Sequence, residues 1–245
     1  MQKLLLLGDE AIAQAALDAG LSGVYAYPGT PSTEIMEYVQ RSKQAEAGNV
    51  HRKWSANEKT AMEAAIGMSY AGKRAIVCMK HVGLNVAADP FMNSAITGAN
   101  GGLIVLVADD PSMHSSQDEQ DSRYYARFAQ IPYVEPSNQQ EAYDLTHFAF
   151  ELSERLHTPV LMRVTTRLAH SRAGVVTRES RPQNEINLCS NPKQFILLPA
   201  NARRQYVELI EKNVEFIKSS ETSGNNKYID GTDKSMGIIA SGIAY

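Results

Sequence analysis

Short apolar runs alternate with amphipathic stretches along the first 170 or so residues. Leu4–Leu7 is apolar and predicts a first buried strand, being too short a run for a signal peptide. Glu10–Ala19 carries apolar residues at 11, 12, 15, 16 and 19, the spacing of one helical face. Gly20 follows where a helix end favours glycine. Gly23–Tyr27 predicts a short strand running into Pro28-Gly29-Thr30-Pro31, and Thr33–Glu46 a helix. Asn57–Ala71 predicts another helix, stopped by Gly72. Arg74–Met79 and Leu103–Ala108 are unbroken apolar runs of strand length, as expected of strands covered on both faces. Asp118–Ala129 and Glu141–Leu156 predict helices, and Pro159–Val164 a further strand. This alternation predicts an α/β fold: a mostly parallel sheet with helices on both faces.

The texture changes after about residue 175. Arg178–Pro199 is polar, Ala200–Ser219 predicts one long amphipathic helix, Ser220–Lys234 resembles a linker, and Met236–Ala240 predicts a new strand. The expected organisation is therefore an α/β unit over 1–175, an extended linker with one long helix over 176–234, and the start of a truncated second α/β domain over 235–245. Hydrophobic residues make up 43% of the 245 and charged residues 21%, which excludes disorder. The 24 Lys and Arg against 27 Asp and Glu leave a net charge of −3, with no basic excess to draw the chain to nucleic acid. No apolar run approaches the ~18 residues of a membrane span. Cys78 and Cys189, without a C-x-x-C, cannot ligate an iron–sulfur cluster by themselves and fit a reducing cytoplasm.

Four segments could carry chemistry. In Tyr27-Pro28-Gly29-Thr30-Pro31-Ser32-Thr33-Glu34, Thr30 can cap a helix with Pro31 at its first position. That helix start would point N–H groups at the C-terminal edge of the sheet, where open α/β sheets bind ligands. The same residues also make a good turn that binds nothing. Ser55-Ala56-Asn57-Glu58 fits a capping box with Ser55 as cap and Glu58 reaching back. Alternatively, Glu58 is a carboxyl buried beside Ala61, Ala64, Ala65 and Met68 that shares a proton with a ligand nitrogen. His81, in Lys80–Asn85, follows a strand end and reads either as a site residue or as a satisfied core histidine. Asp109-Asp110-Pro111 precedes a polar run from His114 to Asp121, with Ser116 and Glu119 as a second capping box. His114, Asp118, Glu119 and Asp121 are adjacent at one helix start and would not converge on one cation, so no metal is expected there. G-x-G-x-x-G, Walker A and G-x-S-x-G are absent, and Gly8-Asp9 opens the chain in the wrong setting for a diphosphate–metal motif.

Tyr27–Glu34, Ser55-Ala-Asn-Glu-Lys-Thr-Ala-Met-Glu63 and Met79-Lys-His-Val-Gly-Leu-Asn85 together resemble the N-terminal pyrimidine-binding domain of thiamine-diphosphate 2-oxoacid:ferredoxin oxidoreductases. Asp109-Asp-Pro with His114-Ser-Ser-Gln-Asp-Glu-Gln-Asp-Ser-Arg-Tyr-Tyr125 narrows the likeness to the indolepyruvate ferredoxin oxidoreductase α-subunit family. Pro199-Ala200 and Gly237–Tyr245 extend it over essentially the whole chain. The resemblance implies oxidative decarboxylation of an aryl pyruvate to an acyl-CoA, with ferredoxin accepting two electrons and thiamine diphosphate as cofactor. It implies that Glu58 hydrogen-bonds N1′ of the aminopyrimidine, that Thr30 reaches cofactor and substrate, and that Pro28 and Gly29 shape the turn. His81, Asn85, Asp109 and His114 would lie about the substrate pocket. Ala108-Asp109-Asp110-Pro111 stands where some pyruvate-specific relatives carry an arginine, so carboxylate recognition differs and pyruvate is disfavoured. In this family the α subunit continues into a domain that binds the diphosphate and Mg²⁺, then into a cysteine-rich tail holding 4Fe-4S clusters. The remainder of that subunit, a β subunit, ferredoxin and CoA are the implied partners, with self-association as a homodimer a further expectation. The isolated chain is expected to be inactive and to bind the cofactor weakly. A related enzyme acting on another 2-oxoacid, or a non-catalytic assembly or binding remnant, are the alternatives.

Overall fold

A computed structural model describes residues 2–191 and 193–245. In chain order the elements are β1 (Lys3–Leu7), α1 (Gly8–Asp18), β2 (Gly23–Ala26), α2 (Thr33–Arg41), α3 (Lys43–Ala47), β3 (His51–Trp54), α4 (Glu58–Tyr70), β4 (Ala75–Lys80) and α5 (His81–Val86). There follow α6 (Ala88–Thr97), β5 (Leu103–Asp109), α7 (Arg123–Ala129), β6 (Tyr133–Val134), α8 (Gln139–Leu156), β7 (Val160–Thr165), α9 (Thr166–His170), β8 (Arg172–Val176) and α10 (Pro199–Thr222).

Six strands form one sheet in the order β3-β2-β4-β5-β7-β6, and every pairing is parallel. Alternate residues of the central strands enter opposite apolar layers. Ile76, Cys78, Ile104, Leu106, Val160 and Met162 pack with α1, α2 and α8 residues such as Ile12, Met36 and Phe150. Val77, Met79, Leu103, Val105 and Val107 pack with Met62, Phe91 and Leu209 on the other face. Continuous apolar strands are what a doubly covered parallel sheet requires. The chain leaves β2 through α2 and α3 to reach β3 at the sheet edge, then returns through α4 past β2 to β4. The strand order reverses there, at the carboxyl ends of β2 and β4, the position where open α/β sheets characteristically bind ligands.

The edges depart from the sequence expectation. β1 pairs antiparallel with β8 in a separate two-stranded ribbon, and of its leucines only Leu6 is buried while Leu5 is 70% exposed. A short apolar run cannot by itself distinguish a covered strand from a ribbon with one face in solvent. β3 is the polar edge strand His51-Arg-Lys-Trp54, which no apolar pattern announces. The expected helix over Asp118–Ala129 begins only at Arg123, because Asp118 and Asp121 are engaged by His81 and Arg123 in the preceding loop. Ser116 therefore caps no helix: its hydroxyl donates to Asp110, and Glu119 accepts from Ser112 N. Met236–Ala240 forms no strand, since no strand among the described residues lies beside it to complete the hydrogen bonds.

The segment after β8 is strapped to the α/β unit. Arg181 N donates to Asp18 O at 2.8 Å, Asn187 N donates to Ala71 O at 2.9 Å, and α10 brings Leu209 and Phe216 onto the second layer. Among the described residues no helix is long and apolar enough to cross a membrane.

His147 of α8 is buried, and neither ring nitrogen has a partner among the described residues. Burial, with Arg178 and Arg181 adding to it, holds this imidazole at a pKa of about 4, below its ordinary 6.5. The folded state thus binds fewer protons there than the unfolded chain, so stability is full above about pH 6.5 and falls as the pH drops toward 4. Urea unfolding between pH 7 and 4 is expected to show wild type losing roughly 3 kcal/mol more than His147→Leu. Equal losses would mean that His147 carries none of the dependence.

Candidate functional site

Parallel strands deliver their following loops to one edge, and the sequence-predicted residues gather there. After β2, Ser32 Oγ donates to Gly29 O at 2.9 Å and Gly29 N donates to Thr33 Oγ1 at 3.1 Å. Both hydroxyls close the turn on Gly29, so α2 starts at Thr33 behind Ser32, and Thr30 is not the helix cap expected of it. Thr30 stands within the turn, joined to Pro31 by a cis peptide bond. Gly29 and Thr30 are half-buried and Pro28 is exposed. A Cβ on Gly29 would lie 3.2 Å from Cδ of Lys80, so the turn rests on the aliphatic stem of the residue that ends β4.

After β3, the capping box is displaced from its expected position. Asn57 is the cap: its Oδ1 accepts from Thr60 N at 2.9 Å, and Thr60 Oγ1 accepts from Asn57 N at 3.3 Å. Ser55 and Glu58 take no part in it, which corrects the sequence reading. Glu58 is 9% exposed, and among the described residues nothing hydrogen-bonds its carboxylate. Its side chain lies over the backbone of α5, where a Cβ on Gly83 would come within 2.6 Å of Oε1 and 2.8 Å of Cγ. The apolar face beside it is Ala61, Met62, Ala65 and Ile66, while Ala64 is exposed and Met68 half-buried.

His81 is buried, with Nε2 3.1 Å from Asp118 O and 3.2 Å from Asp118 Oδ1; its Nδ1 has no partner among the described residues. Asn85 is exposed and accepts from the Tyr125 hydroxyl. His114 is exposed on the loop after β5.

Asp109 and Asp110, adjacent at the end of β5, have separate tasks. Asp109 is fully buried; its Oδ2 accepts from Arg163 Nε at 2.5 Å and from Ser122 N at 3.1 Å. Arg163 also binds Glu135, and Arg123 joins Glu135 to Asp121. Asp110 accepts from Thr166 Oγ1 at 2.6 Å, Ser115 N at 2.7 Å and Ser116 Oγ at 2.8 Å. Burial pushes the Asp110 carboxyl up, but these hydrogen bonds outweigh it and hold the pKa at about 2. Both acids order the loop that covers the edge. Asp109 keeps its buried Oδ1 without a partner among the described residues, and Glu58 differs from both acids in that neither of its oxygens is tied to a loop.

Sequence reasoning missed Gly83, Lys80 and the Arg163 network. Gly83 had a signal: a glycine inside a helical segment just past a strand marks a close approach. The Arg163 network had none, since it joins β5, β7 and the loop after β5 across 54 residues of chain.

A doubly covered parallel sheet with a strand-order reversal, and a carboxylate at its carboxyl edge that makes no protein hydrogen bond among the described residues, is the setting in which open α/β domains hold ligands. Residues 14–216 match the family described as pyruvate flavodoxin/ferredoxin oxidoreductase, thiamine diphosphate-binding, and the chain belongs to that family. Indolepyruvate oxidoreductase subunit IorA of Archaeoglobus fulgidus is 45% identical over 249 residues, covering 100% of this chain and 40% of that protein. The subunit of the same name from Pyrococcus horikoshii is 46% identical over 253 residues, covering 100% of this chain and 38% of that protein. The 2-oxoglutarate synthase subunit KorA of Methanocaldococcus jannaschii is 26% identical over 80% of this chain and 56% of its own length. Among solved structures, the 2-oxoglutarate:ferredoxin oxidoreductase from Magnetococcus marinus superposes with a TM-score of 0.70 at 16% identity, over 88% of this chain and 45% of that one; this shows the fold. The chain thus spans about 40% of the length of the IorA relatives.

Removing Arg163 tests whether Asp109 belongs to the scaffold. Arg163→Met leaves Asp109 buried without its cation, while Glu135 keeps Arg123, and chemical denaturation is expected to show a loss of about 3–5 kcal/mol. A loss under about 1 kcal/mol would free Asp109 for another role.

Proposed function

We propose that this chain holds the aminopyrimidine of thiamine diphosphate in an oxidoreductase that oxidatively decarboxylates aryl pyruvates, indolepyruvate among them, to acyl-CoA with ferredoxin as electron acceptor. The observation that carries the reading is Glu58: a residue only 9% exposed whose carboxylate makes no protein hydrogen bond among the described residues, lying against a glycine at the carboxyl edge of the sheet. Such a group suits a protonated ring nitrogen, and the Gly83 backbone, with no Cβ to displace the carboxylate, suits a flat ring laid beside it. These residues fit the pyrimidine end of the cofactor. The names of the IorA relatives support the aryl substrate, and the KorA relatives support the second reading, another 2-oxoacid on the same chemistry.

Thiamine diphosphate, when bound, supplies the carbon nucleophile and electron sink for decarboxylation. Glu58 holds a proton at ring nitrogen N1′. A positioned proton carrier of this kind contributes roughly 10²–10⁴-fold. Pro28, Gly29 and Thr30, in the turn after β2 at the same edge, would hold the cofactor with Glu58, with Thr30 as the residue to reach cofactor and substrate. His81, with Nδ1 free, lines the substrate side, and Asn85 and His114 lie at its exposed margin. Asp109, paired with Arg163, would support that side through the loop after β5. Mg²⁺ and the diphosphate go to the remainder of the α subunit, as do the 4Fe-4S clusters. A β subunit, ferredoxin and CoA complete the reaction in the cytoplasm, and the isolated chain turns over no substrate.

In the complete subunit pair, Glu58→Gln is expected to lower indolepyruvate turnover at least about 10²-fold while the unfolding midpoint stays within a degree or so of wild type. Near-normal turnover removes Glu58 from the chemistry. Calorimetric titration of the 245-residue chain with thiamine diphosphate and Mg²⁺ is expected to show weak binding or none. Sub-micromolar affinity would contradict the division of the cofactor between this chain and a further domain.

A further inference from the structure

A second unsatisfied carboxylate lies away from Glu58. Asp9, in the first turn of α1, is fully buried, and neither of its oxygens has a hydrogen-bond partner among the described residues. Glu34, in the first turn of α2, has a buried Oε2 that is likewise unpartnered. Its Oε1 lies 3.5 Å from Nε2 of His170, the last residue of α9. One ligating atom from each of Asp9, Glu34 and His170 falls within 4.8 Å of the others.

An ionised carboxylate in an apolar interior is costly unless something neutralises it. Burial, with Glu34 and Glu10 adding to it, pushes the Asp9 carboxyl up. A proton shared between Asp9 and Glu34 would still leave one Asp9 oxygen without a partner and would not engage His170. A cation draws on all three side chains at once. The geometry suits one: four-coordinate Zn²⁺ with bonds of about 2.0–2.1 Å sets neighbouring ligand atoms about 3.4 Å apart, close to the Glu34–His170 separation of 3.5 Å. One imidazole with two carboxylates is a borderline ligand set, which suits zinc better than the all-oxygen preference of Mg²⁺.

We propose that Asp9, Glu34 and His170 form a zinc-binding site with a fourth position open to solvent. Its opening lies on the side of Glu34 and His170, whose side chains are 32% and 34% exposed. The ion would tie together the starts of α1 and α2 and the end of α9. It would also brace the turn that carries Thr30, because Thr33 next to Glu34 accepts the hydrogen bond from Gly29 N.

The test uses the metal-free 245-residue chain titrated with Zn²⁺, read by calorimetry and thermal unfolding, and is independent of turnover. One equivalent is expected to bind with micromolar or tighter affinity and to raise the unfolding midpoint. Asp9→Asn keeps the shape and removes the charge; His170→Gln changes a partly exposed side chain and spares the core. Each is expected to weaken binding at least about tenfold, and X-ray absorption of the loaded wild type is expected to show only nitrogen and oxygen neighbours. Failure of the wild type to bind, equal affinity in both variants, or a sulfur neighbour from Cys189 would each overturn the proposal. Should Asp9→Asn not fold, His170→Gln alone decides between the outcomes.

Discussion

Parallel strands buried on both faces have to hand their chain on at the same edge, and that constraint organises this molecule. The apolar runs of β4, β5 and β7 permit solvent on neither face, so helices must cover both and every crossover must return the chain in the same direction. The loops after β2, β3, β4 and β5 therefore meet at one rim. The strand order reverses between β2 and β4, the place on such a rim where open α/β sheets characteristically take ligands. Glu58, Gly29, Lys80 and Gly83 come together for that topological reason, although they are spread over 54 positions of sequence.

The acids at this rim divide by what surrounds them. Asp109 Oδ2 is held by Arg163 and Ser122 while its buried Oδ1 has no partner among the described residues, and Asp110 is bonded by Thr166, Ser115 and Ser116; both carboxylates hold a loop. Glu58 is freed from such work because Asn57 and Thr60 cap α4 in its place. With no protein hydrogen bond to either oxygen among the described residues, the Glu58 carboxylate is available to a ligand, whereas a polar group wholly shut from water and left unpaired, such as Asp9, is rare in a settled structure. The same reasoning separates Asp9 from Asp18, whose carboxylate is bonded by Tyr143, Ser180 and Gln14.

Central β4, β5 and β7 were legible in the sequence because their apolar runs are long and uninterrupted, and α1, α4 and α8 because their stripes are clear. The margins were not. β3 is polar, and Leu4–Leu7 does not reveal that its partner is Arg172–Val176, far along the chain. At the site, residue identity was legible and local geometry less so. Pro28, Gly29, Thr30 and Glu58 stand at the rim as read, but both helix starts lie beyond their expected caps. Ser32 and Thr33 compete for Gly29, and Asn57 competes with Ser55, in choices that hydrogen-bond geometry decides and spacing does not. Asp9, Glu34 and His170 meet only through the packing of α1, α2 and α9.

The central claim is that the free carboxylate over Gly83 receives a nitrogen of the cofactor ring. The most direct measurement is an experimental structure of the complete α subunit with thiamine diphosphate and Mg²⁺ bound. A Glu58 carboxylate oxygen is expected at hydrogen-bond distance, about 2.6–3.0 Å, from the aminopyrimidine ring. A ring bound elsewhere, with Glu58 bonded to protein or facing water, would contradict it.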